Sequence, residues 1–230
     1  MTARTAIVTG ATAGLGRAVA HDLAAAGWRL VVDARTATDL EAIAADLRTA
    51  RAEAAVVAVA GDVADPAHRR ALAAAAGDRV DLLVASAGTL GPSPLPRLAD
   101  VPLPDLERTL RTNVVAQVGL VQEVLPALRA AGGVVVAVTS DAALEGYEGW
   151  GAYGASKAAL ETLALSYAEE VRNLSPVRVA IVDPGATATT MRARAYPGED
   201  PATLKPPSAV AEAVLEMLKR GFETGERLVL

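Results

Sequence analysis

The chain has 230 residues, 52% of them hydrophobic, and a formal net charge of -5. That is enough for one well-buried α/β domain and short for two, and a mildly acidic balance without a basic block argues against a nucleic-acid or anionic-membrane surface. There is no cysteine, so disulfides, thiol nucleophiles and cysteine–zinc sites are excluded and nothing asks for an oxidising compartment.

In chain order, Arg4 to Thr9 reads as a short strand, with no charged leader before it, and Thr9 to Gly16 as a glycine-rich turn. Arg17 to Ala26 is a predicted helix stopped at Gly27, Arg29 to Val32 a strand, and Asp39 to Arg51 a helix. Ala54 to Val59 is a third strand ending at Gly61-Asp62-Val63. Asp65-Pro66 starts a helix, with the cap oxygen on Asp and Pro at the first helical position. Asp81 to Ala85 is a fourth strand, and Gly91 to Pro104 a proline-rich loop. Asp105 to Ala131 is a long helix expected to kink or break near Pro126. Gly133 to Thr139 is a buried strand ending in Ser140, followed by a loop to Trp150 and a helix carrying Tyr153 and Lys157. Val177 to Val182 is a sixth strand and Asp183 to Pro207 an irregular stretch. Ser208 is expected to cap a helix to about Arg220, and Glu226 to Leu230 is a last short strand.

Strands and helices alternate throughout, with no linker or repeat. The expected fold is α/β, a doubly wound parallel Rossmann-type sheet of about seven strands with helices on both faces. It is expected to be a single domain over residues 1–230, with substrate loops near 89–104, 141–151 and 186–207. No uninterrupted apolar run approaches the roughly 18 residues of a membrane span, and a soluble cytoplasmic protein is expected. His21 and His68 fall in predicted helices without a ligand partner and read as helix-surface residues, so no metal is expected.

Two stretches carry chemistry. Strand, glycine-rich turn and helix make an anion site: Gly10 permits the turn, Gly14 and Gly16 let the backbone approach a pyrophosphate, and the helix N-terminus supplies N–H groups. The end of the second strand should meet the adenosine ribose, and it offers both Asp33 and Arg35. An acid there suits free ribose hydroxyls, whereas a cation suits a 2′-phosphate. In the second stretch, Tyr153 and Lys157 lie four apart, one turn of helix on a common face. A neighbouring ammonium favours the phenolate and should lower the tyrosine pKa toward neutrality, where acid–base catalysis is efficient. Ser140, at a strand end facing the crevice, can reach a substrate oxygen.

Thr9 to Gly16 and Tyr153-x-x-x-Lys157, with Ser140 thirteen residues before the tyrosine, resemble the short-chain dehydrogenase/reductase family over nearly the whole chain. The resemblance implies that Ser140 orients and polarises a substrate carbonyl or hydroxyl. It makes Tyr153 the general acid in reduction and the base in oxidation. Lys157 would lower the tyrosine pKa and bond the nicotinamide ribose. Asn113 resembles the group that holds a water in a proton relay to the lysine. Asp62 and Val63 look like the pair framing the adenine, Ala87-Gly88 like the turn beside the cofactor, and Pro184-Gly185 with Thr187 and Thr189 like the segment holding the nicotinamide. Gly10, Thr12, Gly14, Leu15 and Gly16 complete the implied cofactor set. The family position that decides between cofactors falls at Ala34, which is not acidic, and Arg35 follows it, so NADP(H) is favoured over NAD(H).

Three departures stand out. Ala85 and Ser86 replace two asparagines, which puts support of the central strands in doubt. Ala13 stands where many relatives have a basic residue, leaving Arg35 as the one strong partner for a 2′-phosphate. The chain stops at Leu230, where relatives continue into a tail that builds a tetramer interface. A homodimer through the long helices is therefore expected ahead of a homotetramer.

The reading is an NADP(H)-dependent oxidoreductase acting on a small-molecule carbonyl or secondary alcohol. Its rivals are a non-catalytic NAD(P)-binding sensor or scaffold and an epimerase or dehydratase with transiently used cofactor. Tyr147, Trp150, Met191 and Tyr196 are the bulky pocket candidates and imply a medium-sized, partly apolar substrate. Asp141, Glu145 and Glu148 near the mouth disfavour a strongly anionic one.

Overall fold

The apolar runs of the sequence become strands, the central ones covered on both faces. The computed structural model describes residues 3–51 and 55–230. Its strands are β1 (Thr5–Val8), β2 (Arg29–Ala34), β3 (Val56–Ala60), β4 (Leu82–Ala85), β5 (Val134–Val138), β6 (Arg178–Asp183) and β7 (Arg227–Val229). The expected start of the third strand at Ala54 lies outside the described residues. All pair in parallel in one sheet of order β3-β2-β1-β4-β5-β6-β7. The helices are α1 (Gly14–Ala25), α2 (Ala37–Ala50), α3 (Pro66–Ala76), α4 (Leu103–Leu110), α5 (Ala116–Ala131), α6 (Gly151–Val171), α7 (Thr190–Ala195) and α8 (Pro207–Arg220).

Register explains the two layers. Val31, Ile7, Leu83 and Val135 form one row across the sheet, so they share a face, and they pack on Leu72 of α3 and Leu120, Val124 and Leu128 of α5. Ala6, Val8, Val32, Val84 and Val136 alternate with that row and meet Val19 and Leu23 of α1, Leu47 of α2 and Val214 of α8. Side chains alternate between faces along a strand, so an unbroken apolar run fills both layers at once. The chain winds outward from β1 to β3 and then restarts at β4 on the other side of β1. This reversal opens a crevice beyond the carboxyl ends of β1 and β4.

The long helical stretch differs from expectation. No break occurs at Pro126, which lies inside α5. The irregularity is a five-residue π-turn, Arg111–Val115, between α4 and α5. Fully buried Leu120 and Leu128 anchor α5 on the sheet, and that packing outweighs the one hydrogen bond Pro126 forgoes. Leu103–Ala131 is also long and apolar enough, by length and composition, to cross a membrane, although charged residues such as Arg111 and Glu123 interrupt its apolar runs. Core helices meet the same criterion when, like α5, they bury an apolar stripe.

Two further boundaries move. Helix α8 starts at Pro207 with Pro206 at the cap position, so Ser208 is inside the first turn and not the cap. Proline at the first helical position already has the required φ and lacks only an N–H that would have no partner. Within the stretch expected to be irregular, Thr189 Oγ1 accepts from Arg192 N at 3.1 Å and caps the short α7.

Candidate active site

The glycine loop leaves β1 at Thr9, whose buried hydroxyl accepts from Ala87 N at 2.9 Å and so ties the loop to the end of β4. Gly10 has φ +69, a conformation that side-chain-bearing residues rarely adopt. A Cβ on Gly16 would lie 2.5 Å from the Gly10 carbonyl oxygen, so α1 packs on the loop only because that residue is glycine. Ala13 offers no side-chain cap to α1. Ala13, Gly14 and Leu15 at the start of the helix line the crevice, and the partial positive charge there is unmatched by a capping side chain.

A cleft of about 950 Å³ opens beside this helix start. It is lined by every residue expected to hold the dinucleotide or do chemistry except Gly16, which packs beneath the loop, and Asn113. Exposed Arg35 is on this lining. Asp33 lines it too, but its carboxylate is committed elsewhere: Oδ1 accepts from Gly10 N at 2.7 Å, and Oδ2 lies 3.1 Å from His68 Nε2. His68 is therefore buried and paired, which corrects its reading as a helix-surface residue. His21 is half-buried, 3.3 Å from Asp46. Asp62 closes a local turn by accepting from Ala64 N at 2.8 Å.

Ser140 lies just past β5, Tyr153 and Lys157 on α6, and all three face the cleft. Lys157 Nζ donates to the Val138 carbonyl at 2.8 Å and sits 5.6 Å from the centroid of the Tyr153 ring. Burial pushes Lys157 down to about 8. Tyr153 goes the other way. Burial pushes it up to about 12, Asp141 and Asp183 push in the same direction, and only the Ser140 hydroxyl opposes them. This corrects the expected lowering of the phenol by its lysine. Desolvation penalises the phenolate, and the ammonium that should compensate is turned to a main-chain carbonyl and is itself weakened by burial. Ser140 Oγ donates to Asp141 Oδ1 at 2.8 Å.

Asn113 is fully buried. Its Oδ1 accepts from Thr89 N at 2.8 Å, and its Nδ2 donates at 2.8 Å to both Thr89 O and Ser156 Oγ. The side chain is a tie between the strand-end loop and α6 and does not enter the cleft. Gln117, which sequence reading passed over, donates from Nε2 to Ala87 O at 2.5 Å. With Thr9 it holds the β4 end where Ala85 and Ser86 replace the expected asparagines.

A second unread feature lies under Ser140. Arg227 of β7 reaches Asp183 Oδ2 at 2.9 Å and makes an ion contact with Glu161 Oε1 at 3.0 Å. Glu161 Oε2 in turn accepts from Thr139 Oγ1 at 2.7 Å, and Asp183 Oδ1 accepts from Gly185 N at 2.9 Å. One partly buried cation thus joins β5, β6, β7 and α6. Only its polar residue types were visible locally; the partners come from separate elements.

At the substrate end, Trp150 packs edge-on against Tyr153 with centroids 5.4 Å apart, and it is flanked by Tyr147 and Tyr196. Trp150 and Met191 line the cleft, whereas Tyr147 and Tyr196 stand behind Trp150. Asp141 lines it, Glu145 bonds the Tyr147 hydroxyl at 2.9 Å, and Glu148 pairs with Arg97 at 3.1 Å out in solvent. Arg192, not anticipated, also lines the cleft but is held bidentately by Glu199 at 2.6 Å.

The residues present fit a dinucleotide: uncapped amides over a glycine cradle for a pyrophosphate, a cation at the β2 end, and a phenol and ammonium at the far end. Comparison with known proteins agrees. The family model for short chain dehydrogenase matches residues 4–200. Serine 3-dehydrogenase from Agrobacterium fabrum is 35% identical over 186 residues, covering 80% of this chain and 72% of the relative. The chloroplastic NADPH-dependent aldehyde reductase-like protein of Arabidopsis thaliana is 33% identical over 201 residues, covering 82% of this chain and 74% of that protein. The alcohol dehydrogenase structure from Thermococcus sibiricus, complexed with 5-hydroxy-NADP, superposes with a TM-score of 0.88 at 27% identity, covering 100% of this chain and 96% of that one. With this sheet order, this loop and these matches, the chain belongs to the short chain dehydrogenase family of oxidoreductases.

Proposed function

We propose that this oxidoreductase moves a hydride between NADP(H) and a carbonyl or secondary alcohol carbon, with Tyr153 as general acid and base. The observation that carries the reading is that Ser140, Tyr153 and Lys157 line one cleft with the glycine loop and Arg35. A bound nicotinamide supplies the hydride; the chain supplies orientation, the proton and electrostatics.

In reduction, Tyr153 gives its phenolic proton to the substrate oxygen as the carbon accepts the hydride, and Ser140 Oγ, its hydrogen turned away from Asp141, donates to that oxygen. Burial, which holds Tyr153 up at about 12, keeps the proton on the phenol at neutral pH. The phenol is thereby in the protonated form that the acid role needs. Lys157, still largely protonated near neutrality with a value of about 8, keeps a positive charge near the developing phenolate. Trp150 and Met191 make the substrate end partly apolar, in keeping with a medium-sized ketone or aldehyde.

Arg35 supports NADP(H), because a guanidinium matches a phosphate bidentately and the Asp33 carboxylate is occupied by other partners. Self-association through the long helices is part of the reading. Leu163 and Leu165 of α6, with Leu103 and Val115 of the α4–α5 stretch, are large apolar side chains left exposed. A carbonyl-substrate screen followed by loss of NADPH absorbance, with NADH in parallel, tests the assignment. NADPH-dependent turnover is expected, whereas saturable cofactor binding with no turnover on a broad panel would favour a sensor.

A further inference from the structure

Asp33 is placed where a carboxylate could read a ribose, yet the geometry gives it different work. Its side chain is 3% exposed and that of His68 5%. One carboxylate oxygen takes the Gly10 amide at 2.7 Å and the other faces His68 Nε2 at 3.1 Å. The main chain joins in, since Asp33 O accepts from Ala11 N at 3.0 Å. A carboxylate only accepts, so the proton between the two side chains sits on Nε2. The ring is itself clamped: a Cβ on Gly61 would lie 2.3 Å from Nδ1, so the histidine fits only over a glycine at the end of β3. The glycine loop and α3 therefore converge on one carboxylate of β2, and both of its oxygens are used. Turning it toward the cleft would strand the Gly10 amide and the imidazole without partners in a buried setting, which is costly.

We propose that Asp33 and His68 are a positioning pair that presets the glycine loop for a dinucleotide pyrophosphate and keeps Asp33 from acting as a ribose reader. His68 holds the carboxylate, the carboxylate holds the Gly10 amide, and the loop is thereby ordered before the ligand arrives, which lowers the ordering cost of binding. The inference rests on the dinucleotide reading above and gives both residues a role that acts through the loop.

The test measures the NADPH dissociation constant by fluorescence titration for the wild type, His68→Leu, His68→Gln, Asp33→Asn, Asp33→Ala and the double variant Asp33→Ala/His68→Leu. Exchange of the Gly10 amide in cofactor-free protein and Tm are measured alongside. Loss of one charge-assisted hydrogen bond predicts a rise in the dissociation constant of about tenfold for His68→Leu and Asp33→Ala. Gly10 exchange should accelerate by a similar factor. His68→Gln, which keeps a donor, should bind within about threefold of wild type on the same scale. The double variant should bind no worse than the weaker single one, as expected for residues acting through one contact. The loss should fall on cofactor affinity and KM for cofactor more than on kcat at saturation.

Wild-type-like affinity and Gly10 exchange in both His68→Leu and Asp33→Ala would overturn the proposal, even if Tm fell. If His68→Leu does not fold, the isosteric Asp33→Asn and the small Asp33→Ala decide by the same two readouts, and unaltered affinity in both is fatal. Absence of saturable binding of NADPH or NADH by the wild type would instead overturn the dinucleotide reading, and this inference with it.

Discussion

The Lys157 ammonium donates to the Val138 carbonyl at 2.8 Å, and the Tyr153 ring centroid lies 5.6 Å from the same nitrogen. The lysine is thus moored to the end of β5. Burial of both groups sets their protonation in opposite directions, Lys157 down to about 8 and Tyr153 up to about 12.

Lys157 provides a stability test with a definite sign. Its value falls from 10.5 unfolded to about 8 folded, so between those pH values the unfolded chain binds the extra proton and stability rises with pH. Charging the buried amine below pH 8 costs roughly 3 kcal/mol by this measure. Wild-type stability measured against Lys157→Met should therefore improve steadily from pH 8 to about 10. A pH-independent difference would show that burial does not depress this lysine.

Tyr153→Phe keeps the ring against Trp150 and removes the hydroxyl that carries the proton. Turnover should fall by at least about 100-fold while NADPH affinity changes little. Steady-state rates paired with a fluorescence titration check this, and retained turnover would remove Tyr153 from the acid role.

If the proposed contact between Arg35 and a 2′-phosphate holds, Arg35→Ala should weaken NADPH binding by about tenfold or more and leave NADH binding nearly unchanged. Equal loss for both cofactors would point to a structural role for the arginine.

Gly16→Ala brings a Cβ to 2.5 Å from a main-chain oxygen of the loop. Neither backbone can yield freely, so overpacking of about 1–3 kcal/mol is expected in denaturant melts, together with weaker cofactor binding.

Arg227→Leu leaves Glu161 and Asp183 as buried carboxylates without their cation. Removing one partner of such a cluster costs about 3–5 kcal/mol at neutral pH. A variant as stable as wild type at neutral pH would mean that Thr139 and Gly185 suffice for the two carboxylates.

The fold was legible because its signals are local. Apolar runs such as Val134 to Val138 are long enough for a strand and uniform enough to need cover on both faces. Gly10, Gly14 and Gly16 announce a loop by spacing alone. Boundaries set by competition were less legible: proline inside α5 was outweighed by burial of Leu120 and Leu128, and Pro207 took the helix start from Ser208.

By itself the sequence determined which residue types arrive at the carboxyl ends of the strands, because strand–loop–helix order and the four-residue spacing of Tyr153 and Lys157 are properties of a few neighbouring residues. Tertiary structure alone decided what those residues touch. Asp33 meets His68 across 35 positions, Thr9 meets Ala87 across 78 and Arg227 meets Asp183 across 44. It also decided the protonation of the phenol and the ammonium, since desolvation depends on how much of the folded chain surrounds a group, which spacing along the chain does not encode.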